Sequence, residues 1–155
     1  AGSELCKSQA LVDPMASVGG KAYVVVMKGL VTQAASAIPG MSIYLSLLFR
    51  AMKKAGTHEG CIEQTTRFFT TQLYGSGEHR TDEGGRIRMD EMELRDDIQQ
   101  FVADSWPLVT AETLDDITDF DGYKQAYLEM HGFEVAGMDY EVEVDPDVSI
   151  ELQVV

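Results

Sequence analysis

Small polar residues follow the most apolar segment of the chain, at a place where ligands often bind. Residues Ala22–Val31 are β-branched and almost continuously apolar, which predicts a strand covered on both faces, as in parallel α/β sheets. Thr32, Gln33 and Ser36 come directly after it. Because ligands of open α/β sheets bind beyond the carboxyl ends of strands, these side chains could hydrogen-bond a ligand. The alternative is that they only form a polar loop.

Other residue types that often carry chemistry are scattered along the sequence. Cys6 and Cys61 are far apart and have no metal-type spacing, so we expect free, buried thiols and no metal site. The three histidines stand alone. The polar segment Gly75–Arg88 lacks the third glycine and the preceding strand of a phosphate-binding motif, which indicates an ordinary surface loop.

Helices are expected to dominate the rest of the chain. The pattern predicts a deeply buried helix over Met41–Ala55, a helix from a Thr57 cap to Tyr74, a helix that starts at the capping-box-like Asp90-x-x-Glu93 and ends before Pro107, and a helix over Phe120–Met130. One face of the second helix is predicted to carry Ile62, Thr65, Phe69 and Leu73, and the buried stripe of the third Leu94, Ile98, Phe101 and Val102.

The end of the chain changes to a period of two. Tyr140, Val142 and Val144 alternate with glutamates, and a second alternating run over Val148–Val155 follows a turn at Asp145–Asp147. This pattern predicts a β-hairpin, which must pack on another surface to be stable. Since a parallel-type strand needs neighbours on both edges, the sheet is predicted to be incomplete in this chain and completed by another protein chain.

The net charge of −14 is concentrated in the second half. Residues 1–81 hold 5 acidic and 8 basic side chains, whereas residues 82–155 hold 21 acidic and 4 basic ones. Such a surface repels phosphates, so nucleic acid and anionic membranes are disfavoured, while a basic protein partner remains compatible. No run reaches the ~18 apolar residues that a membrane span needs, and no signal peptide is visible.

Five blocks of the sequence resemble, in order and spacing, the NADH-dependent trans-2-enoyl-CoA reductase family. The most specific of them is T-H-E-G-C-I-E-Q, which has no generic structural reason to recur. The blocks are GKAYVVVMKGLVTQAASAIP at Gly20–Pro39, MKKAGTHEGCIEQ at Met52–Gln64, GRIRMDEMELRDDIQQ at Gly85–Gln100, DITDFDGYK at Asp116–Lys124 and GFEVAGMDYE at Gly132–Glu141.

The resemblance implies an α/β fold: the C-terminal part of a Rossmann-type reductase, mostly helical, with one buried parallel-type strand and the C-terminal hairpin. The implied reaction is hydride transfer from NADH to the β-carbon of a trans-2-enoyl thioester, assisted by a tyrosine and a lysine. That Tyr-x8-Lys pair lies upstream of the block at Gly20, and the Gly-rich dinucleotide loop is also absent from this chain. No catalytic residue is therefore assigned.

The same resemblance implies roles for five residues. Thr32 corresponds to the position beside the nicotinamide and Gln33 belongs to the same loop, so both are expected to bind the cofactor. Ser36, Ile38 and Tyr44 are expected to line the substrate site. We divide the chain into an N-terminal segment (1–20), the reductase-like region (21–145) and a β tail (146–155).

Three functions follow from the same residues. The chain is the C-terminal part of an NADH-dependent enoyl-thioester reductase, active when an N-terminal half carrying the Tyr/Lys pair completes it. The first alternative is a non-catalytic accessory subunit of a large mitochondrial, respiratory-type complex. The second is an adaptor that binds acyl chains without chemistry. NADH is implied by the family only, and the alternative is that this chain binds no cofactor.

Overall fold

The structure is a computed structural model that describes residues 12–76 and 81–144. Its elements are α1 (Val12–Ser17), β1 (Val25–Val26), α2 (Gln33–Ser36), α3 (Met41–Lys54), α4 (Cys61–Arg67), β2 (Ile87–Arg88), α5 (Asp96–Ser105), α6 (Leu114–Ile117) and α7 (Phe120–Met130). A π-helical turn, Phe68–Leu73, continues α4, and a 3₁₀ turn, Trp106–Leu108, continues α5.

Helix α3 is the centre of the core, as its pattern predicts. Leu47, Leu48 and Met52 are fully buried, and α3 packs against α5 on one side and α7 on another. Ile98 of α5 and Tyr123 of α7 belong to the same buried cluster. Because apolar residues cover most of its circumference, the helix can bury several faces at once. It thereby forms the support on which the segment after β1 rests.

The predicted parallel strand is confirmed in its direction and corrected in its length and burial. Only Val25–Val26 forms β1, which is half-buried and pairs in parallel with β2. The amides of Ile87 and Met89 donate to the carbonyls of Val24 and Val26, both at 2.8 Å. The prediction that Gly75–Arg88 is only a surface loop is wrong at its end, because a two-residue strand is too short to produce a periodicity signal.

Helix α4 begins later than predicted. Thr57 does not cap it: the Thr57 amide donates to Met52 O at 2.9 Å and closes α3, beside Gly56 with φ 67°. Gly60 is the residue that precedes α4, and no side chain caps it. Glu59, predicted in the first turn, lies before the helix and accepts from Arg67 Nε at 2.8 Å. The short segment 57–60 is therefore held by a half-buried ion pair and by the end of α3.

Helix α5 also begins later, at Asp96, so the predicted capping box is wrong. Asp90 pairs with Arg88 instead, and Glu93 accepts hydrogen bonds from elements distant in sequence. Leu94 is 51% exposed, whereas Ile98 and Val102 are buried as predicted. The helix ends at Ser105, immediately before the Trp106–Leu108 turn that contains Pro107, and α7 has the predicted bounds.

The C-terminal region and Cys61 differ from the sequence predictions. Residues 140–144 form turns without a β-strand, so the first strand of the predicted hairpin is not formed there, and residues 145–155 lie outside the described residues. Cys61 is exposed, which corrects the expectation of a buried thiol, and Cys6 also lies outside the described residues. Among the helices that the structure describes, none is long and apolar enough to cross a membrane.

Candidate functional site

A cleft of about 510 Å³ lies beyond the carboxyl end of β1. It is bordered by the segment after β1, the segment before α4, and the end of α7. Its polar lining includes Lys28, Thr32, His58, Glu59 and Glu63, and its apolar lining includes Phe49 and Met130. This volume is typical of small-molecule sites, and the position is where α/β sheets bind ligands.

Lys28 is the most buried charged side chain of the cleft. It is only 4% exposed, its Nζ donates to Gly29 O at 3.1 Å, and it lies 5.0 Å from the centroid of the Phe49 ring. Burial lowers the pKa of the Lys28 ammonium, while the nearby carboxylates of Glu93 and Glu59 oppose that shift. The cleft therefore holds a positive charge beside an aromatic face.

His58 supplies an uncharged polar group to the same cleft. Its ring meets Phe49 edge-on, with centroids 4.6 Å apart. Burial, together with repulsion from Lys28 and Lys53, lowers the pKa of His58 to about 4, so the ring is neutral at pH 7. Its buried Nδ1 has no hydrogen-bond partner among the described residues. Since buried polar atoms are normally paired, this nitrogen points to a group that is not in the described chain.

Two buried side chains fix the backbone where β1 leads into the cleft. The Lys28 amide donates to Gln64 Oε1 at 3.0 Å, and the Gly29 amide donates to Glu93 Oε2. Tyr44 Oη donates to the other Glu93 oxygen at 2.9 Å. A Cβ on Gly29 would lie 2.9 Å from Leu45 Cδ2, so glycine allows the close approach of this segment to α3.

The structure brings Thr32 alone of the five predicted residues to the cleft. Thr32 lines it and also caps α2, since its Oγ1 accepts from the Ala35 amide at 3.0 Å. Gln33 is the first residue of α2 and is exposed. The predicted cofactor role of both residues stays a prediction.

The three predicted substrate residues are dispersed. Ser36 lines a second, apolar cavity of about 370 Å³ together with Tyr123 and Tyr127 of α7. Ile38 is 50% exposed and lines neither this cavity nor the cleft, and Tyr44 is engaged with Glu93. The substrate role of these residues stays a prediction as well.

Sequence reasoning missed Lys28, His58 and Glu93. Lys28 had a usable signal, because a single cation inside an apolar strand needs a special environment. His58 and Glu93 had none, since their surroundings come from elements distant in sequence. Among the described residues, no group of three or more His, Cys, Asp and Glu side chains could hold a metal ion.

Comparisons with known proteins place this architecture in one family. Residues 4–74 match a model described as the trans-2-enoyl-CoA reductase catalytic region, and residues 81–144 match one described as the enoyl reductase FAD binding domain. The enoyl-[acyl-carrier-protein] reductase [NADH] of Pseudomonas paraeruginosa is 55% identical over 138 residues, which cover 89% of this chain and 34% of that protein. A reductase of the same name from Flavobacterium johnsoniae is 50% identical over 141 residues, 91% of this chain and 36% of the relative.

The solved structures agree with the sequence relatives. The crystal structure of Treponema denticola trans-2-enoyl-CoA reductase in complex with NAD superposes with a TM-score of 0.80 at 42% identity, over 90% of this chain and 35% of that one. The fold and the position of the cleft thus define part of a Rossmann-type reductase. The chain belongs to the trans-2-enoyl-CoA reductase family and corresponds to its C-terminal portion. It spans about a third of the length of the curated relatives that it matches.

The residues of the segment named for FAD do not fit a flavin dinucleotide. Residues 81–144 contain 18 acidic and 4 basic side chains. Each basic side chain already pairs with a carboxylate: Arg86 with Asp82, Arg88 with Asp90, Arg95 with Asp97 and Lys124 with Asp121. A pyrophosphate would meet excess negative charge and no available cation in this segment. We therefore derive no chemical step through a flavin.

Proposed function

We propose that this chain is the catalytic-cleft portion of an NADH-dependent reductase of trans-2-enoyl thioesters and acts when an N-terminal portion completes it. The observation that carries the proposal is the cleft at the carboxyl end of β1, which is lined by Thr32, Lys28 and His58, whose Nδ1 has no partner within the described part of the chain. The names of the relatives supply the substrate class and NADH. Their greater length supports the requirement for a further portion.

The cleft fits one end of a nicotinamide dinucleotide rather than the whole of it. Thr32 offers a hydroxyl and His58 a neutral ring nitrogen, groups that can hydrogen-bond a carboxamide. When bound, NADH would supply the hydride. The buried Lys28 ammonium would stabilise negative charge that develops on a thioester oxygen. Phe49, which is buried, contributes an apolar wall to the same space.

The partner that completes the sheet is part of the proposal. β1 pairs with β2 along one edge, and the described sheet has two strands. A second parallel strand from the N-terminal portion would satisfy the other edge of β1. The accessory-subunit alternative and the mitochondrial location stay predictions, since the relatives compared are bacterial reductases.

A chimeric enzyme tests this proposal. The 138 matched residues of the Pseudomonas paraeruginosa reductase are replaced by the corresponding residues of this chain, which are 55% identical. We expect the chimera to oxidise NADH in the presence of crotonyl-CoA, followed by the loss of absorbance at the nicotinamide band. The 155-residue chain alone should show no turnover, because the catalytic Tyr/Lys pair of the family is outside it.

Two controls complete the design. The Pseudomonas reductase without its 138 matched residues should be inactive, and the intact reductase sets the reference rate. Crotonate, which lacks the thioester, should not be reduced. A folded chimera that binds NADH and enoyl thioester without turnover would contradict the proposal, as would turnover by the 155-residue chain alone.

A further inference from the structure

Glu93 is a buried carboxylate that the proposed chemistry does not use. It is 9% exposed and forms no ion pair among the described residues. Its two side-chain oxygens accept from the Gly29 amide and from Tyr44 Oη, and its own carbonyl accepts from Gln99 Nε2 at 2.8 Å. A buried charge is costly unless strong hydrogen bonds satisfy it, and these bonds meet that need.

The Glu93 carboxylate accepts a backbone hydrogen bond just beyond the end of the β1–β2 ladder. The last ladder bond of β1 runs from the Met89 amide to Val26 O. Beyond Val26, the Lys28 amide donates to the Gln64 side chain and the Gly29 amide donates to the Glu93 carboxylate. These two side chains replace the neighbouring strand as acceptors for successive backbone amides. The segment that carries Lys28 into the cleft, and that leads to Thr32, is therefore held by side chains rather than by a sheet.

We infer that Glu93 is a positioning residue of the cleft: with Tyr44 as its anchor on α3, its carboxylate fixes the Lys28–Gly29 backbone and thereby places Lys28 and Thr32 relative to each other. This inference rests on the proposed function and deepens it. It also assigns Tyr44 an indirect role in place of the predicted contact with substrate. Glu93 touches no reacting atom in this scheme.

A pair of variants at position 93 separates hydrogen bonding from simple space filling. Glu93→Leu removes both acceptors, whereas Glu93→Gln keeps an oxygen for the Gly29 amide and an NH₂ that can donate to the Tyr44 oxygen. Tyr44→Phe removes the anchor alone. Glu91→Leu is the matched control, since Glu91 is exposed and pairs with Arg67 rather than with the segment after β1.

The first measurement is steady-state kinetics of the chimera. We expect Glu93→Leu to lower kcat by about 10–100-fold, the size of effect that misplacement of reacting groups produces. The KM for NADH should change little, because the described residues hold no cradle for its pyrophosphate. Glu93→Gln should recover most of the lost kcat, Tyr44→Phe should lose a smaller factor, and Glu91→Leu should match the parent.

The second measurement is amide hydrogen exchange on the 155-residue chain, which needs no activity. In Glu93→Leu, the Gly29 amide should exchange roughly ten-fold faster or more, while the Ile87 amide, bonded to Val24 O, keeps its protection. An unchanged Gly29 amide, or a Glu93→Leu chimera with the parental kcat, overturns the inference. An inactive parental chimera counts against the proposed function instead, and the exchange result then decides the role of Glu93 by itself.

Discussion

His58 and Lys28 share one cleft, and their surroundings shift the pKa of each. Burial is the larger cause of the low pKa of His58, and repulsion from Lys28 adds to it. The Glu93 and Glu59 carboxylates favour the charged form of Lys28 and so oppose the effect of its burial. The cleft thus combines a buried lysine whose pKa is lowered with an imidazole that is neutral at pH 7.

The stability of the protein should depend on pH through His58. An unfolded histidine has a pKa near 6.5 and the folded one about 4, so the unfolded chain binds more protons between these values. The contribution of His58 is fully present above pH 6.5 and is lost as the pH falls toward 4. Between pH 7 and pH 4.5, we expect the wild type to lose on the order of 1–3 kcal/mol more than His58→Phe, allowing for partial solvent screening.

Urea denaturation at several pH values measures this difference. Phenylalanine preserves the edge contact with Phe49 and removes the titration. His131→Gln is the control for the loss of a histidine at the surface, because His131 is exposed. Parallel pH slopes for the wild type and His58→Phe would show that His58 does not titrate as described.

Individual residues were predictable where their position along the chain decides their role. Thr32 lines the cleft in the segment that follows β1, although its cofactor role stays a prediction. Asp90 and Glu93 have the spacing of a capping box, but Asp90 pairs with Arg88, and Glu93 accepts hydrogen bonds from Gly29 and Tyr44, which are distant in sequence. Local spacing does not reveal such partners, so long-range hydrogen bonds override the capping preference.

At the scale of elements, strong and long patterns predicted the structure best. Helices α3 and α7 have the predicted extent because their apolar spacing continues over three turns or more. The strands β1 and β2 contain two residues each, which is too short for any periodicity. The Phe68–Leu73 segment continues α4 as a π-helical turn, and the apolar spacing of a regular helix gives no indication of it.

Truncation of a core residue in α3 should be far more costly than the same truncation on the surface. Leu48 is fully buried, whereas Leu108 in the 3₁₀ turn is 60% exposed. We expect Leu48→Ala to lower the free energy of unfolding by about 2–5 kcal/mol, through lost burial and the cavity it leaves. Leu108→Ala should change it by less than about 0.5 kcal/mol.

Chemical denaturation of the two alanine variants at pH 7 measures this contrast. Because the truncated side chain is the same, the comparison isolates burial. Equal losses for both variants would contradict the placement of α3 at the centre of the core.

At the scale of the whole molecule, charge and sheet topology point to an incomplete unit. The region named for a flavin is acidic and its cations are paired, which disfavours a dinucleotide there, while the basic protein partner stays a prediction. The incomplete sheet was predictable, because a helical chain with one apolar strand lacks neighbours for it. That β2 is the neighbouring strand of β1 could not be predicted, since two residues give no recognisable pattern.

Within the described residues, no strand pairs with the edge of β1 opposite β2, and this edge provides the sharpest test of the proposed completion of the sheet. The ladder to β2 uses the carbonyls of Val24 and Val26, so the backbone groups of Val25 point to the opposite edge. Val25→Pro removes the N–H on that edge and leaves the bonds to β2 in place. We therefore expect the variant chain to keep its melting temperature within a few degrees.

Val25→Pro should prevent assembly with the N-terminal portion even though it leaves the melting temperature of the chain nearly unchanged. When the part of the Pseudomonas paraeruginosa reductase outside the 138 matched residues is coexpressed with this chain, the wild type should copurify with it and elute as one complex. Val25→Pro should not, because the strand that would pair with the free edge loses a ladder bond and meets the proline ring. Val25→Ala, which keeps the amide, should assemble normally. If Val25→Pro assembles as well as Val25→Ala, the partner does not complete the sheet at this edge, and its contact lies elsewhere on the chain.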